Sequence, residues 1–232
     1  RAHRVATLHS CGTCRRCQTS NSGQQASNGY VASPALGQPG LWLQAEGSDP
    51  VSTEHFFHDY FGTVTEKLND IDPELLEQAA TMVRRAQGTG NKVILAGNGG
   101  SAAMASHVAV DLTKAAGIRA VNFNEADLLT CLANDYGYEN WVAKALEFYA
   151  DPGDLVVLIS SSGRSQNMVN GAEQASAMGL AVISFSGFSP DNPLRRLGDL
   201  NLWAASDSYN IVEMTHHVWL LAIVDFLIET DG

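Results

Sequence analysis

The feature that most constrains the fold is an alternation of short apolar runs with longer helical stretches, from about residue 92 onward. Each run has the length of one buried strand, and each is followed by a stretch with helical spacing of apolar residues. Strands that alternate with helices predict a parallel sheet covered by helices on both faces, an α/β fold. The five predicted strands are KVILAG (92–97), IRAVNF (118–123), DLVVLIS (154–160), LAVISFSG (180–187) and LNLWAA (200–205).

Two helices are predicted before the first strand. Ser52 or Thr53 can cap the first, which places four aromatic residues on one side, and Asp72-Pro73 begins a second that ends near Gly88. We therefore expect one domain over residues 51–232. The aromatic residues of the first helix are Phe56, Phe57, Tyr60 and Phe61, and the later helices are predicted at 101–115, 126–133, 138–149, 167–178 and 210–229.

Residues 1–50 have a different composition, rich in Ser, Gly, Gln and Asn, and predict a disordered or artefactual N-terminal extension. Its CGTCRRC segment could supply zinc ligands from Cys11, Cys14 and Cys17, with His9 as a fourth. Structural zinc sites usually pair two separated ligand clusters, however, and no second cluster follows. The unstructured extension is the favoured interpretation.

Composition excludes several classes of function. The 232-residue chain has a net charge of −11 and a pI near 4.9, which argues against a broad nucleic-acid-binding face. No apolar run reaches the roughly 18 residues of a membrane span. Cys131 is the one cysteine of the main body and cannot form a disulfide within it, which fits a reducing, cytoplasmic location.

Two loops rich in glycine or serine follow predicted strands and precede predicted helices. They are GNGGS (97–101) and SSSGRSQN (160–167). In an open α/β sheet, ligands bind at the carboxyl ends of strands, and helix N-termini attract anions. Serine hydroxyls add donors, so the paired loops predict a site for a phosphate monoester.

A dinucleotide site is the competing interpretation, because Gly97, Gly99 and Ala102 match G-x-G-x-x-A. That motif requires an acidic residue about 20 residues further on. The nearest candidate, Glu125, begins the next helix instead, and a dinucleotide site has no use for the serine loop. A P-loop is excluded because no G-K-[ST] follows the turn.

Together, GNGGS, the helix with His107, the sequence AND (133–135), the SSSGxS loop and the final helix resemble the SIS (sugar isomerase) superfamily, most of all the phosphoheptose isomerases. The resemblance covers about residues 54–229. It implies a flavodoxin-like fold with five parallel strands, a homotetramer with active sites at subunit interfaces, and a sugar phosphate ligand. The implied ligand-binding residues are Asn98, Gly99, Ser101, Asn134, Asp135, Ser160, Ser161, Ser162 and Ser165.

The metal and acid–base positions match the family less well. The family's His-x-x-x-Glu becomes His107 and Asp111, and the Gln and His of its last helix fall on Val212 and Leu220. His216 is four residues from each of those positions, so a zinc site could be rebuilt from His107, Asp111 and His216. His217 stands next to it, so His216 or His217 is a further acid–base candidate.

Two classes of function remain open at this point. An aldose–ketose isomerase acting through an enediol needs a base near two neighbouring carbons and an acid for the carbonyl oxygen. Asp111 is the predicted base, His107 or His216 the acid, and Glu213 an alternative acid. The other class is a non-catalytic SIS module that binds a sugar phosphate or a protein partner, which the lost Gln and His favour. Histidines in the interior or at an interface would equally explain these positions.

Overall fold

The computed structural model describes residues 53–231, and these residues form one five-stranded, entirely parallel sheet. The strand order is β2-β1-β3-β4-β5, so β1 and β3 lie side by side although β2 separates them in sequence. The expected flavodoxin-like α/β fold is confirmed. The strands are β1 (Val93–Gly97), β2 (Ala120–Asn122), β3 (Leu155–Ser160), β4 (Ala181–Gly187) and β5 (Leu200–Ala204).

Helices precede the sheet and join its strands. Asp72 caps the second helix as predicted, because its carboxylate accepts a bond of 3.0 Å from the Glu74 amide. The helices are α1 (Thr53–Asn69), α2 (Pro73–Gly88), α3 (Gly100–Lys114), α4 (Ala126–Tyr136), α5 (Trp141–Tyr149), α6 (Gln166–Ala177) and α7 (Tyr209–Asp231), with short 3-10 helices at Tyr138–Asn140 and Leu194–Arg196.

Two elements differ from expectation. Strand β2 is three residues long rather than six, since it is an edge strand whose middle residue is exposed and whose other two are only partly buried. The helix predicted over 138–149 starts as the 3-10 turn Tyr138–Asn140 and becomes α-helical at Trp141.

The core lies in two layers because alternate strand residues point to opposite faces of the sheet. Val93 and Leu95 pack with residues of α2, α3 and α7. Ile94 and Ala96 pack on the other face with residues of α5 and α6. Near-continuous burial along β1, β3 and β4 follows from this double cover.

Helix α7 is long and apolar enough, by length and composition alone, to cross a membrane over Tyr209–Thr230. The expectation that no segment reaches this length is therefore wrong. The helix is a core element here, with half of that span buried and Trp219 donating from its indole Nε1 to the Leu68 carbonyl of α1 at 3.1 Å. The extension and its candidate ligands His9, Cys11, Cys14 and Cys17 lie outside the described residues, so those expectations stay predictions.

Candidate functional site

The two predicted loops lie next to each other at the carboxyl edge of the sheet. Gly97, the last residue of β1, is paired with Ile159 of β3, so the loops leave adjacent strands. The chain passes from β1 to β2 on one side, whereas β3 lies on the other, which opens a crevice at this point of the sheet. This is where an α/β fold of this strand order binds ligands.

The glycine loop turns sharply into α3. Gly99 has φ +54°, a conformation that residues with a Cβ rarely adopt. Ser101 is buried in the first turn, and its amide donates to the Asn98 carbonyl at 3.0 Å. The sequence thus brings backbone and one hydroxyl close to the crevice without bulky side chains.

The serine loop joins β3 to α6. Ser160 and Ser161 are buried, and the Ser160 and Ser165 hydroxyl oxygens are 3.1 Å apart. Ser165 occupies the N-cap position of α6 but makes no side-chain capping bond, so its hydroxyl is not committed to the helix. Ser162 Oγ accepts from the Arg164 amide at 3.3 Å. The four serines expected at this edge therefore surround one turn at a helix N-terminus.

A pair of amides links the two loops. Asn98 Nδ2 donates to Asn167 Oδ1 at 3.0 Å, and Asn167 Nδ2 donates back to Asn98 Oδ1 at 2.8 Å. The Tyr138 hydroxyl also donates to Asn98 Oδ1, at 3.0 Å, although its side chain is half exposed. The reciprocal bonds fix the loops relative to each other, so they act as one cradle.

Glu213 of α7 reaches the same place from the far side. Its carboxylate lies so close to Gly100, the first residue of α3, that a Cβ there would stand 2.7 Å from Glu213 Cδ. Its Oε1 lies 3.5 Å from the Ser161 hydroxyl. Glu213 is thus the acidic side chain that the structure brings to both loops at once.

His107 and Asp111 form a second cluster, further along α3. His107 Nε2 lies 3.2 Å from Asp111 Oδ2, and His107 Nδ1 lies 3.0 Å from Nε2 of His217 on α7. A carboxylate can only accept, so Nε2 of neutral His107 has the proton and His217 donates to its Nδ1. Burial lowers the pKa of His217, and repulsion between the two imidazoles when both are protonated lowers it further. The three side chains form a partly exposed hydrogen-bonded chain.

His216 does not join this cluster, which corrects the predicted set His107, Asp111 and His216. It is fully buried, donates from Nε2 to the Ser186 carbonyl at 2.9 Å, and packs against Phe185 and Trp219. His216 does share the face of Val212 and Leu220, but that face is turned to the core. Within residues 53–231 no group of three His, Cys, Asp or Glu side chains is arranged to hold a metal ion.

Asn134 and Asp135 lie on the exposed last turn of α4, just before Tyr138. Asn134 Nδ2 donates to Asp135 Oδ1 at 2.9 Å, and the Cys131 thiol lies 3.7 Å from Asp135 Oδ2. Both contacts are within α4 and do not reach the loops. The predicted role of Asn134 and Asp135 in binding a sugar therefore stays a prediction.

Sequence reasoning missed Asn167 and Tyr138, and it left open which of His216 and His217 takes part in the site. Adjacent positions on a helix lie about 100° apart, and the packing of α7 turns His216 to the core with Val212 and Leu220 while His217 stays partly exposed. Asn167 stood in the quoted loop, but its partner Asn98 is 69 residues away in sequence. No local pattern predicts that contact.

The comparisons agree with this geometry. The model of the SIS domain family matches residues 57–187, more than half of the chain. The chain therefore belongs to the SIS domain family, as the resemblance predicted.

Its similar relatives within that family are phosphoheptose isomerases. A probable phosphoheptose isomerase of Thermoplasma acidophilum is 37% identical over 59% of this chain and 78% of the relative. The phosphoheptose isomerase of Tolumonas auensis is 32% identical over 67% of this chain and 83% of the relative. The structure of the enzyme from Neisseria gonorrhoeae matches with a TM-score of 0.69 and 26% identity, over 75% of this chain and 98% of that one.

Proposed function

We propose that this phosphosugar isomerase interconverts a ketose phosphate of the sedoheptulose 7-phosphate type with its aldose through an enediol. The observation that supports this most is the pair of loops joined by Asn98 and Asn167, with a carboxylate between them. The two curated relatives named above, 37% and 32% identical, support the same class of substrate. A free, exposed Cys131 fits a cytoplasmic enzyme.

The serine loop holds the phosphate in this proposal. The hydroxyls of Ser160, Ser161, Ser162 and Ser165 and the N-terminus of α6 offer donors to an anion. Asn98, Gly99 and Ser101 supply the opposite wall from the start of α3. The sugar then extends from the loops toward Asn134, Asp135 and Tyr138.

Glu213 is the acid–base residue that the geometry favours within one chain. Isomerisation removes a proton from the carbon next to the carbonyl and returns it to the former carbonyl carbon, while the oxygens exchange their proton in the opposite sense. Glu213 stands between the loops, where it can reach the carbons near a bound phosphosugar. Asp111, the base that the sequence predicts, is less well placed for this step within one chain.

Asp111 lies eleven positions after Gly100, roughly 16 Å along the helix axis at 1.5 Å per residue. That distance is too long for one side chain to reach a sugar held by the loops of the same chain. Because the Asp111–His107–His217 cluster is partly exposed, we assign it to the site of a neighbouring copy in a homo-oligomer, with a tetramer as the expected assembly. There Asp111, as base, and His107, as acid, move the proton between the two sugar oxygens, while Glu213 moves the proton between the carbons.

The residues present fit a zinc ion poorly. Both ring nitrogens of His107 are already bonded, one to Asp111 and one to His217, so a metal on either nitrogen displaces a bond. The third predicted ligand, His216, is in the core. No step of the proposed mechanism requires zinc, and metal analysis of the purified protein tests this.

Turnover of sedoheptulose 7-phosphate in Glu213→Gln tests the assignment of Glu213. We expect a loss of kcat of at least a hundredfold with phosphate binding nearly intact, because the amide has the shape of the carboxylate but cannot accept the proton. Glu229→Gln, an exposed acid on the same helix, is the control and should keep wild-type turnover. Binding without turnover in the wild type would instead identify a non-catalytic SIS module.

Mixing two inactive variants tests the shared site. Glu213→Gln supplies an intact Asp111 cluster, and Asp111→Asn supplies an intact cradle. If each site takes Glu213 from one copy and Asp111 from its neighbour, some sites of a mixed oligomer lack both changes and are complete. The activity of the mixture then exceeds the sum of the activities of the two separate variants. Activity equal to that sum, with light scattering at a monomer mass, contradicts the assignment.

A further inference from the structure

We infer that Asn192 is a positioning residue for the phosphate-binding serine loop, an inference that rests on the proposed function. Asn192 lies in the segment between β4 and β5, is fully buried, and belongs to neither predicted loop. Its neighbour across the packing contact is Gly163, in the middle of the serine loop.

The hydrogen bonds of Asn192 fix both ends of its amide. Nδ2 donates to Ser186 Oγ, the Gly187 carbonyl and the Ser189 carbonyl, at 3.2, 3.1 and 2.9 Å. Oδ1 accepts from the Arg195 amide at 2.9 Å. Carbonyls can only accept and an amide N–H can only donate, so the orientation of the side chain follows from its partners. The amide is anchored to β4 and to the segment after it.

The serine loop rests directly on this anchored amide. Gly163 has φ +63°, and a Cβ at this position would overlap the Asn192 side chain, with Asn192 Cβ itself only 2.8 Å away. The Gly163 carbonyl also accepts from the Leu194 amide at 3.0 Å. Gly163 lies between Ser160, Ser161 and Ser162 on one side and Ser165 on the other. The position of its backbone against Asn192 therefore sets the distances between the serine hydroxyls. Asn192 thereby acts on phosphate through the loop and not by contact.

Asn201 provides a matched control in the same polar network. It is partly buried in β5 and donates to Ser186 Oγ at 3.1 Å and to Ser184 Oγ at 2.9 Å, and its bonds run to β4 rather than to the serine loop. Removal of either amide disturbs the network behind β4, but only removal of Asn192 takes the support from under Gly163.

The experiment compares Asn192→Ala, the milder Asn192→Ser and Asn201→Ala, each with its thermal unfolding recorded. Calorimetry gives the Kd of inorganic phosphate for each variant. Steady-state kinetics with sedoheptulose 7-phosphate give kcat and KM. We expect the Asn192 variants to raise the phosphate Kd and KM about tenfold with a smaller change in kcat, and Asn201→Ala to leave Kd and KM near wild type. Equal effects of the Asn192 and Asn201 variants, or a wild-type Kd in Asn192→Ser, overturn the inference.

A double-mutant cycle adds an independent test. Gly163→Ala alone should weaken phosphate binding through its collision with Asn192, and Asn192→Ala should relieve part of that loss in the double variant. Strictly additive effects on binding free energy would show that the contact does not act on the loop. If the wild type binds no phosphate at all, the proposed function fails together with the inference, which separates that case from the others.

Discussion

In the proposed site, single side chains set the affinity of the cradle for an anion. The Ser162 and Ser165 hydroxyls lie in a loop of donors at the start of α6. Hydrogen bonds to charged groups contribute about 1.5–3 kcal/mol each, so the double variant Ser162→Ala/Ser165→Ala should weaken phosphate binding at least tenfold. Calorimetry with sedoheptulose 7-phosphate measures it, with Ser176→Ala on the exposed face of α6 as control. Unchanged affinity in the double variant would count decisively against the loop as the phosphate site.

Buried His216 makes the fold sensitive to mild acid. Its burial, opposed only by the bond to the Ser186 carbonyl, lowers its pKa from 6.5 to about 4. The unfolded chain therefore binds this proton more readily between pH 6.5 and pH 4, so stability falls as the pH drops through that window. The shift corresponds to about 3 kcal/mol at its acid end.

Urea unfolding at pH 7 and pH 5 measures this effect in the wild type and in His216→Gln. Glutamine can still donate to Ser186 but does not titrate, so the pH dependence should shrink. His58→Gln changes a histidine that is 86% exposed and should leave the pH dependence as it was. The same slope in His216→Gln as in the wild type would show that another group is responsible.

These residues also show how far sequence could predict the site. The loops were predictable because glycine, serine and a following helix are local signals, and Asp111 beside His107 followed from a spacing of four. The sequence did not predict which of His216 and His217 points into the core. Adjacent side chains on a helix are about 100° apart around its axis, and only the packing of α7 decides which one is inside. Glu213 was predicted as an alternative acid, but its contact with the start of α3 depends on tertiary structure.

Among the elements, the two central strands are tied together at the edge opposite the cradle. Lys92, before β1, lies 2.6 Å from the buried Asp154, before β3, and the Lys92 amide donates to the same carboxylate at 2.9 Å. Burial raises the pKa of Asp154, but the bonds from Lys92 and Asp151 outweigh it and the net shift is downward. The Asp154 carboxylate therefore stabilises the fold fully above the ordinary pKa of Asp, and this stabilisation is lost as the pH falls through the lowered pKa.

Asp154→Asn should destabilise the domain by about 3 kcal/mol, because it leaves the Lys92 ammonium with a weaker partner in a buried position. Asp151→Asn is the matched control, since Asp151 also pairs with Lys92 but is 71% exposed, and we expect well under 1 kcal/mol there. Urea midpoints at pH 7 compare the two. Similar losses in both variants would place the stabilisation in the exposed pair.

Element order was predictable because strand and helix periodicities differ, whereas element ends were not. Strand β2 pairs only with β1, so half of its predicted length has no partner and remains outside the sheet. Helix α7 shows the opposite problem, since composition alone cannot distinguish a core helix from a membrane span.

For the whole molecule, deletion of residues 1–50 should leave the melting temperature within about 2 °C and phosphate affinity unchanged. The reason is compositional, since the deleted segment has few apolar residues for a core, and the family match begins only at residue 57. Differential scanning calorimetry of the full and shortened chains makes the comparison. A fall of 5 °C or more would show that the segment contributes to the fold.

The pairing of β1 with β3 has a kinetic consequence. Val93 meets Leu155 about 60 residues later in the chain, and no hairpin brings them together. The chain loses the entropy of closing this loop before the contacts between the strands can stabilise it. Sheets of this kind therefore fold slowly compared with locally paired ones. The two halves of the cradle are thus synthesised far apart in time. A chain released from the ribosome before β3 and α6 emerge has the glycine turn but not the serine loop, so a ligand of the proposed site can stabilise only the completed domain.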